Sequence, residues 1–502
     1  MFSDSALSNP ESLTADQVEF KNRLVFLRNY ALAMIAALGS IYYLLTVSEE
    51  WSSLWWFAFL AIIIALFVNP RFGVYSMLFC GLVGDAVVSY YLPFDKNFSS
   101  AESIFYMSDD LKINPIEFLL VITMISWLIR IFMRKEIAKI DIRGTVWPGM
   151  IFISIVGISL VTSVIGGGTA RIAIWESRYI FYLFLMLVLV THTVKTPGQI
   201  RTIIWLIITA IFIEGILGYL YVQSFDGLYL DEDLTEHSAS IHYNAVFILI
   251  PIAWVLPKGG WWYRLFLPLL TPPILYTWFV SDRRSAMLAL VICIGLLVFY
   301  LWQERRLLFY LITPTAAVIG LLYLGAFWNN TSTLGKPAQT IKTVIAPEQT
   351  NEKDQSSNFY RVLENFNIMY TIRERPLFGI GFGAPFYQPL PMPDISFFEF
   401  WRYITHNSIM WIWMKTGVLG WLAMIFMIGN AINLGAKTAW QMQNGEMRTI
   451  AIMSTMYLIM HFLFAYVDIS WTSQSMLLVG TAMGFINIFT HHFPKKPEFA
   501  AA

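Results

Sequence analysis

Apolar runs of about 20 residues, each long enough to cross roughly 30 Å of hydrocarbon, recur along almost the whole chain. They fall near residues 27–47, 53–69, 72–92, 115–133, 146–165, 172–192, 201–222, 242–257, 262–280, 285–302, 307–328, 406–433, 449–468 and 471–490. Lipid offers no partner for backbone N–H and C=O groups, so only helices and closed barrels cross it. Runs of this length without two-residue alternation read as helices. The expected fold class is an all-α polytopic membrane protein with about 14 transmembrane helices. Only 13% of the 502 residues are charged and 57% are apolar, against about 25% charged in a soluble domain. A net charge of zero argues against a nucleic-acid partner. Cys80 and Cys293 lie inside apolar runs and read as small hydrophobes rather than a disulfide framework or metal knuckle. Residues 1–20 are polar, so no cleaved signal peptide is expected.

Basic residues orient the chain, because loops rich in Lys and Arg stay in the cytoplasm. With the N-terminus inside, 19 of the 33 Lys and Arg become cytoplasmic, and most of the others fall in or just after one long loop where the rule has little force. An even helix count puts the C-terminus inside as well (N-in/C-in). The expected organisation is a cytoplasmic tail over 1–26, helices over 27–328, a large outer loop over 329–405, further helices over 406–490 and a cytoplasmic tail over 491–502. The loop is too long for a simple connector. Its first part is polar and expected to be mobile. Its second part, NFYRVLENFNIMYTI, has apolar residues at 359, 362, 363, 366, 369 and 370. That spacing predicts an amphipathic helix along the outer membrane surface, stopped by Pro376.

Polar residues then gather on the outer side. Arg171 and Arg178 share one helix face; His237, His242 and Asn244 open the eighth run; Asp282, Arg283 and Arg284 open the tenth. Arg361 lies on the polar face of the loop helix, His406 and Asn407 open the twelfth run, and Asp468 closes the thirteenth. Asp85, Glu176 and Glu214 fall in the outer halves of their runs. A charge in a span costs about 2.5–3.5 kcal/mol even on the lenient insertion scale, so a one-sided set points to a shared polar cavity. Each arginine alone is equally well read as snorkelling to the headgroups. Arginine forks suit a phosphate or diphosphate, and at that depth the available anion is a lipid's.

Four stretches carry a resemblance. "THNSIMWIWMKTGVLG" holds His406-Asn407, nine residues, then Gly417 and Gly420; "SDRRSAMLAL" covers 281–290; "YRVLENFNIMYTIRERPLFGIGFG" covers 360–383, with Gly379 and Gly381; "HYNAVFILIPIAW" contains Asn244. In this order, over roughly 170–435, they resemble the motifs of the bacterial O-antigen ligase and O-antigen polymerase superfamily. Lys415 stands where that family often has an acidic residue, and Arg283 where a serine is common.

The resemblance implies a glycosyltransferase of the bacterial inner membrane with its site facing the periplasm, working in surface polysaccharide or lipopolysaccharide biosynthesis. The donor would be a polyprenyl (undecaprenyl) diphosphate-linked glycan and the acceptor a glycan or lipid-linked hydroxyl; the other partners are membrane lipids. No cofactor or metal is implied. His406, Arg361 and Arg284 would be the catalytic set, Arg171, Arg178, Arg283, Asn407 and Asn244 would bind substrate, and Gly379, Gly381, Gly417 and Gly420 would shape the motif, the last two by close helix packing. An imidazole that titrates near neutrality can take the acceptor's proton, and direct attack would invert the anomeric centre.

Other readings have their own residues. Gly379-x-Gly381-x-Gly383 superficially matches a phosphate loop, but no strand precedes it, and a turn that re-enters the membrane fits better. Asp109-Asp110 and Asp231-Glu232-Asp233 would serve a metal-dependent lipid-linked glycosyltransferase, or are solvated acidic loops. His461, in mid-run, reads as a satisfied core histidine. A secondary transporter would place its polar groups near the midplane with internal symmetry, and neither is seen. Ligase, polymerase and protein O-glycosylation stay open.

Overall fold

The computed structural model describes residues 52–493 except 84–93, 95, 102, 104, 134, 136–139, 225–238, 257, 282, 331, 350–351, 395–398 and 444. Among the described residues it is helical throughout: α1 (Ser52–Val68), α2 (Pro70–Val83), α3 (Pro115–Met133), α4 (Val146–Ile165), α5 (Ala170–Thr193), α6 (Pro197–Gln223), α7 (Ala239–Val255), α8 (Trp261–Val280), α9 (Arg284–Glu304), α10 (Arg306–Phe327), α11 (Lys336–Ile345), α12 (Glu352–Glu374), α13 (Ser408–Gln441), α14 (Glu446–Ala465) and α15 (Ser473–His492). Every apolar run from 53 onward corresponds to one of these helices; the run at 27–47 lies outside the described residues. Among the described residues eight helices (α3, α4, α5, α6, α9, α10, α13 and α14) are long and apolar enough to cross a membrane.

The centre of the bundle is α15, which is buried without interruption from Ser473 to Phe489. It meets α5 at Gly480 and Gly484, where an added Cβ would strike the Leu183 carbonyl and the Val190 side chain. Glycines one turn apart let two backbones approach closely. Because α15 is wrapped by protein, it tolerates polar groups: Asn487 Oδ1 accepts the Thr145 amide at 3.2 Å, and Ser475 Oγ bonds His242 Nε2 at 3.1 Å. The three prolines inside α8 do not break it. Gly215 of α6 lies against the backbone of Ile274, and Thr277 Oγ1 donates to the Gly215 carbonyl at 2.8 Å. At one end of the bundle Arg201 grips Glu446, and the fully buried Arg448 grips Glu304 at 2.6 Å. Among the described residues α10 buries none of its own; it leans on α9 and α11, and Tyr323 donates its hydroxyl to the Leu334 carbonyl.

The polar first part of the long loop differs from its expectation. It forms α11 and two short 3-10 turns, at 333–335 and 347–349, and α11 packs on α9 with Ala338, Thr340 and Lys342 buried. Helical spacing was masked there by hydroxyls and lysine; Thr340, for one, turns its Oγ1 back to the Lys336 carbonyl at 3.0 Å.

Gly417 also acts differently from the packing glycine the motif suggests. It breaks α13, with φ 70° and ψ −175°. The segment 376–381 fits into that break. Val418 donates to the Pro376 carbonyl at 2.9 Å, Ile380 donates to Met414 at 2.8 Å and Gly381 donates to Lys415 at 3.0 Å. The loop thereby satisfies backbone groups that the interrupted helix leaves open, which a lipid environment requires. Gly420 is crowded by Thr416 of its own helix. An alanine at 417 meets both a conformation reserved for glycine and the Leu377 carbonyl. Gly417→Ala is therefore expected to cost about 3 kcal/mol, read as a lowered unfolding midpoint in detergent. Gly429→Ala in the open part of the same helix, where nothing lies within 4 Å, should leave that midpoint unchanged or raised.

Candidate functional site

Helix α12 is built inside out. Phe359, Val362, Phe366 and Tyr370 are exposed, whereas Glu364, Asn367 and Thr371 are buried against the protein. An apolar face turned outward fits a helix whose outer neighbour is lipid. The inward polar face fastens the following segment by its backbone: Asn367 exchanges two hydrogen bonds with Leu390 (2.9 and 3.1 Å), and Thr371 Oγ1 accepts from Tyr387 at 3.0 Å.

The same polar face meets the start of α13. Asn407 caps that helix, its Oδ1 accepting from the Met410 amide at 3.0 Å, while its Nδ2 donates to Asn365 Oδ1 at 3.1 Å. His406 precedes the cap. Its amide donates to Glu364 Oε2 at 2.9 Å, and its Nδ1 lies 3.2 Å from both oxygens of that carboxylate. The Tyr360 ring stands edge-on to the imidazole, with centroids 5.6 Å apart. A cavity of about 370 Å³ opens here, lined by Ser356, Ser357, Tyr360, Arg361 and His406. Burial pushes the His406 pKa down, but the Glu364 hydrogen bond and charge, helped by Asp468, outweigh it, so the ring sits above its ordinary value; Arg361 pulls the other way. Burial, with Glu364 adding, pushes the Tyr360 hydroxyl up to about 12.

Two further elements close on this corner. Asp468 follows α14; its Oδ2 accepts from Ser285 Oγ at 3.4 Å, and its carbonyl accepts from Ser408 Oγ at 3.0 Å. Ser285 adjoins Arg284, the first residue of α9, and Arg283 sits at that helix's N-cap. Asn244 of α7 holds the same turn, its Nδ2 donating to the Ala286 carbonyl at 2.7 Å.

The residues singled out from sequence therefore divide. His406 and Arg361 line one cavity, and Arg284 adjoins Ser285, which donates to Asp468, an acid whose charge acts on the His406 ring. Arg361 has no carboxylate partner among the described residues, and its buried Nε makes no hydrogen bond there. Asn407 and Asn244 hold helix starts. Arg171 and Arg178 are not among the cavity's lining residues. Arg171 forms an exposed pair with Glu399 at 2.9 Å. Arg178 is occupied by Glu117 at 3.2 Å and the Tyr179 hydroxyl at 2.6 Å. Asp85, His237, Asp282 and the acidic stretch 231–233 lie outside the described residues. Asp109 accepts from the Tyr106 hydroxyl on an exposed loop. Among the described residues no three His, Cys, Asp or Glu side chains converge as a metal-binding group.

Sequence reasoning overlooked Glu364, although Ser357, Arg361, Glu364, Asn367 and Thr371 already form a polar stripe at helical spacing. It also left Lys415 as an unexplained departure. The structure pairs Lys415 with Glu176 of α5 at 2.7 Å, both side chains fully buried. Lys415 Nζ also donates to the Ala384 carbonyl at 2.7 Å, and Glu176 accepts the Gly383 amide at 2.5 Å. Thus the 376–384 segment is locked to α5 and α13 behind the cavity.

Residues 269–425, from α8 into α13, match the family model described as O-antigen ligase. The resemblance is to the O-antigen ligase and polymerase superfamily. The matched stretch contains Arg284, Arg361, Glu364, His406 and Gly417, whereas Asp468 and Asn244, which also hold the corner, lie outside it. No curated protein matches the chain.

Removing one partner of a buried ion pair leaves the other charge uncompensated, at a cost of about 3–5 kcal/mol. Lys415→Met is expected to lower the thermal midpoint strongly in detergent. Adding Glu176→Gln to it should recover part of the loss.

Proposed function

We propose that the protein transfers a glycan from a polyprenyl diphosphate carrier to an acceptor hydroxyl, at the periplasmic face of a bacterial inner membrane, in surface polysaccharide assembly. The observation that supports this most is that His406 and Arg361 line a single cavity within the segment that matches the O-antigen ligase family. A histidine held by a carboxylate at Nδ1 and an arginine with no carboxylate partner among the described residues are the two groups such a transfer asks for.

In this reading the acceptor oxygen attacks the anomeric carbon of the donor. The bond from that carbon to the diphosphate oxygen breaks, and the diphosphate keeps the electron pair. The acceptor's proton passes to His406 and from there to solvent. Arg361 holds the diphosphate by paired, charge-assisted hydrogen bonds, and Arg284 shares that charge from the start of α9. Guanidinium groups aimed at charge that grows during bond breaking stabilise the transition state more than the ground state. Attack from the face opposite the leaving group inverts the anomeric centre. Arg171 and Arg178, being paired with Glu399 and Glu117, hold the α5 side of the site rather than the donor.

Reconstitution with a labelled diphosphate-linked oligosaccharide tests the reading. His406→Ala is expected to cut turnover at least about 100-fold while the protein stays folded; substantial turnover would remove the base. Arg361→Ala and Arg284→Ala should raise the donor KM, with Lys a poor substitute because it lacks the fork. Full activity in EDTA is expected. Loss restored by Mg²⁺ or Mn²⁺ would move the chemistry to the acidic loops instead.

A further inference from the structure

We infer that Glu364 is a positioning residue for His406, fixing the ring's orientation and tautomer so that proton exchange with the acceptor runs through Nε2. This rests on the reading of His406 as the base. The geometry carries it. One buried carboxylate reaches both the His406 amide (2.9 Å) and Nδ1 (3.2 Å), so it holds the residue by its backbone and its ring together. The carboxylate is 3% exposed, against 25% for the imidazole, so the buried partner is the acid and the ring is the side that meets the cavity. A carboxylate at Nδ1 makes Nδ1 the protonated nitrogen of the neutral ring. The lone pair then resides on Nε2, and the imidazolium that forms during attack is stabilised by the same charge.

The other groups facing the ring have different roles. Tyr360 touches it edge-on from α12, Arg361 opposes its protonation, and Asp468 supports it from the turn after α14. Asp468 is tied up by Ser285 and by its own chain, since its Oδ1 accepts the Ile469 amide at 2.9 Å. Of the two acids, Glu364 is the one in direct hydrogen-bond contact with Nδ1. Glu364 and Arg361 lie three residues apart on α12. A single helix therefore presents the group that orients the base and the group that meets the leaving phosphate, and any shift of α12 moves both together.

The test compares wild type with Glu364→Gln and Glu364→Asp in the full-length protein in lipid nanodiscs. Two measurements are made. The first is glycan transfer against pH. The second is acylation of the His406 peptide by diethyl pyrocarbonate, which modifies only the unprotonated ring, followed against pH by mass spectrometry. In Glu364→Gln, turnover is expected to fall about 100-fold with donor KM within about twofold of wild type. The midpoint of both pH curves should move down. Glu364→Asp should recover part of each. A Glu364→Gln protein with an unmoved midpoint for His406 acylation overturns the proposal, even if stability falls, because a purely structural carboxylate would not set the ring's protonation. His406→Ala run in parallel keeps the two readings apart. If that variant still transfers, the base assignment itself fails. If it is inactive and Glu364→Gln titrates like wild type, only the role of Glu364 fails.

Discussion

The break in α13 at Gly417 is the feature on which the site depends. A membrane helix cannot leave backbone groups open to hydrocarbon, since each costs several kcal/mol. Three backbone hydrogen bonds from 376–381 close the gap. Those bonds fix the position of the chain leaving α12, and the Lys415–Glu176 pair pins the next three residues to α5. His406 enters α13 one end of this lock away, and Glu364 approaches from α12 at the other. The corner is therefore an outcome of backbone bookkeeping in lipid as much as of side-chain choice.

Charge follows the same logic. Among the described residues several inward-facing basic side chains have carboxylates: Arg178 with Glu117, Arg448 with Glu304, Lys415 with Glu176; buried Lys342 instead donates to Asn329 Oδ1. Such pairs add little net stability over apolar substitutes, but losing one member is costly, so they fix how helices register. Arg361 departs from this pattern, with its side chain at a cavity and no carboxylate beside it among the described residues. Pairing thus separates Arg171 and Arg178, held by Glu399 and Glu117, from Arg361, which lines the cavity.

Much of the fold was legible because the apolar runs have one dominant cause, the thickness of the bilayer. Prolines 268, 272 and 273 fall inside one such run, and α8 continues past them. The site was half legible. His406 and Arg284 were picked out as titratable or cationic residues beside apolar runs, and Arg361 from the polar face of the loop helix. Glu364 was not, because an acidic residue on a surface helix reads as solvated until the helix is known to bury its polar face. Lys415 read as an oddity because its partner lies more than two hundred residues earlier in the chain. The roles of Gly417 and α11 were hidden for a related reason: a helix break and a helix of hydroxyls are both set by what packs against them.

The inverted polarity of α12 gives the corner an unusual neighbour. Phe359, Val362, Phe366 and Tyr370 turn outward while, on the opposite side, Glu364 is buried against His406 and Arg361 lines the same cavity as that ring. An apolar face turned away from the protein is what a helix lying at the edge of a leaflet would present to lipid. On the proposed reading, thickness and fluidity of the host membrane would become variables of the site itself, and a lipid-borne donor would reach it by sideways diffusion, a search in two dimensions rather than three.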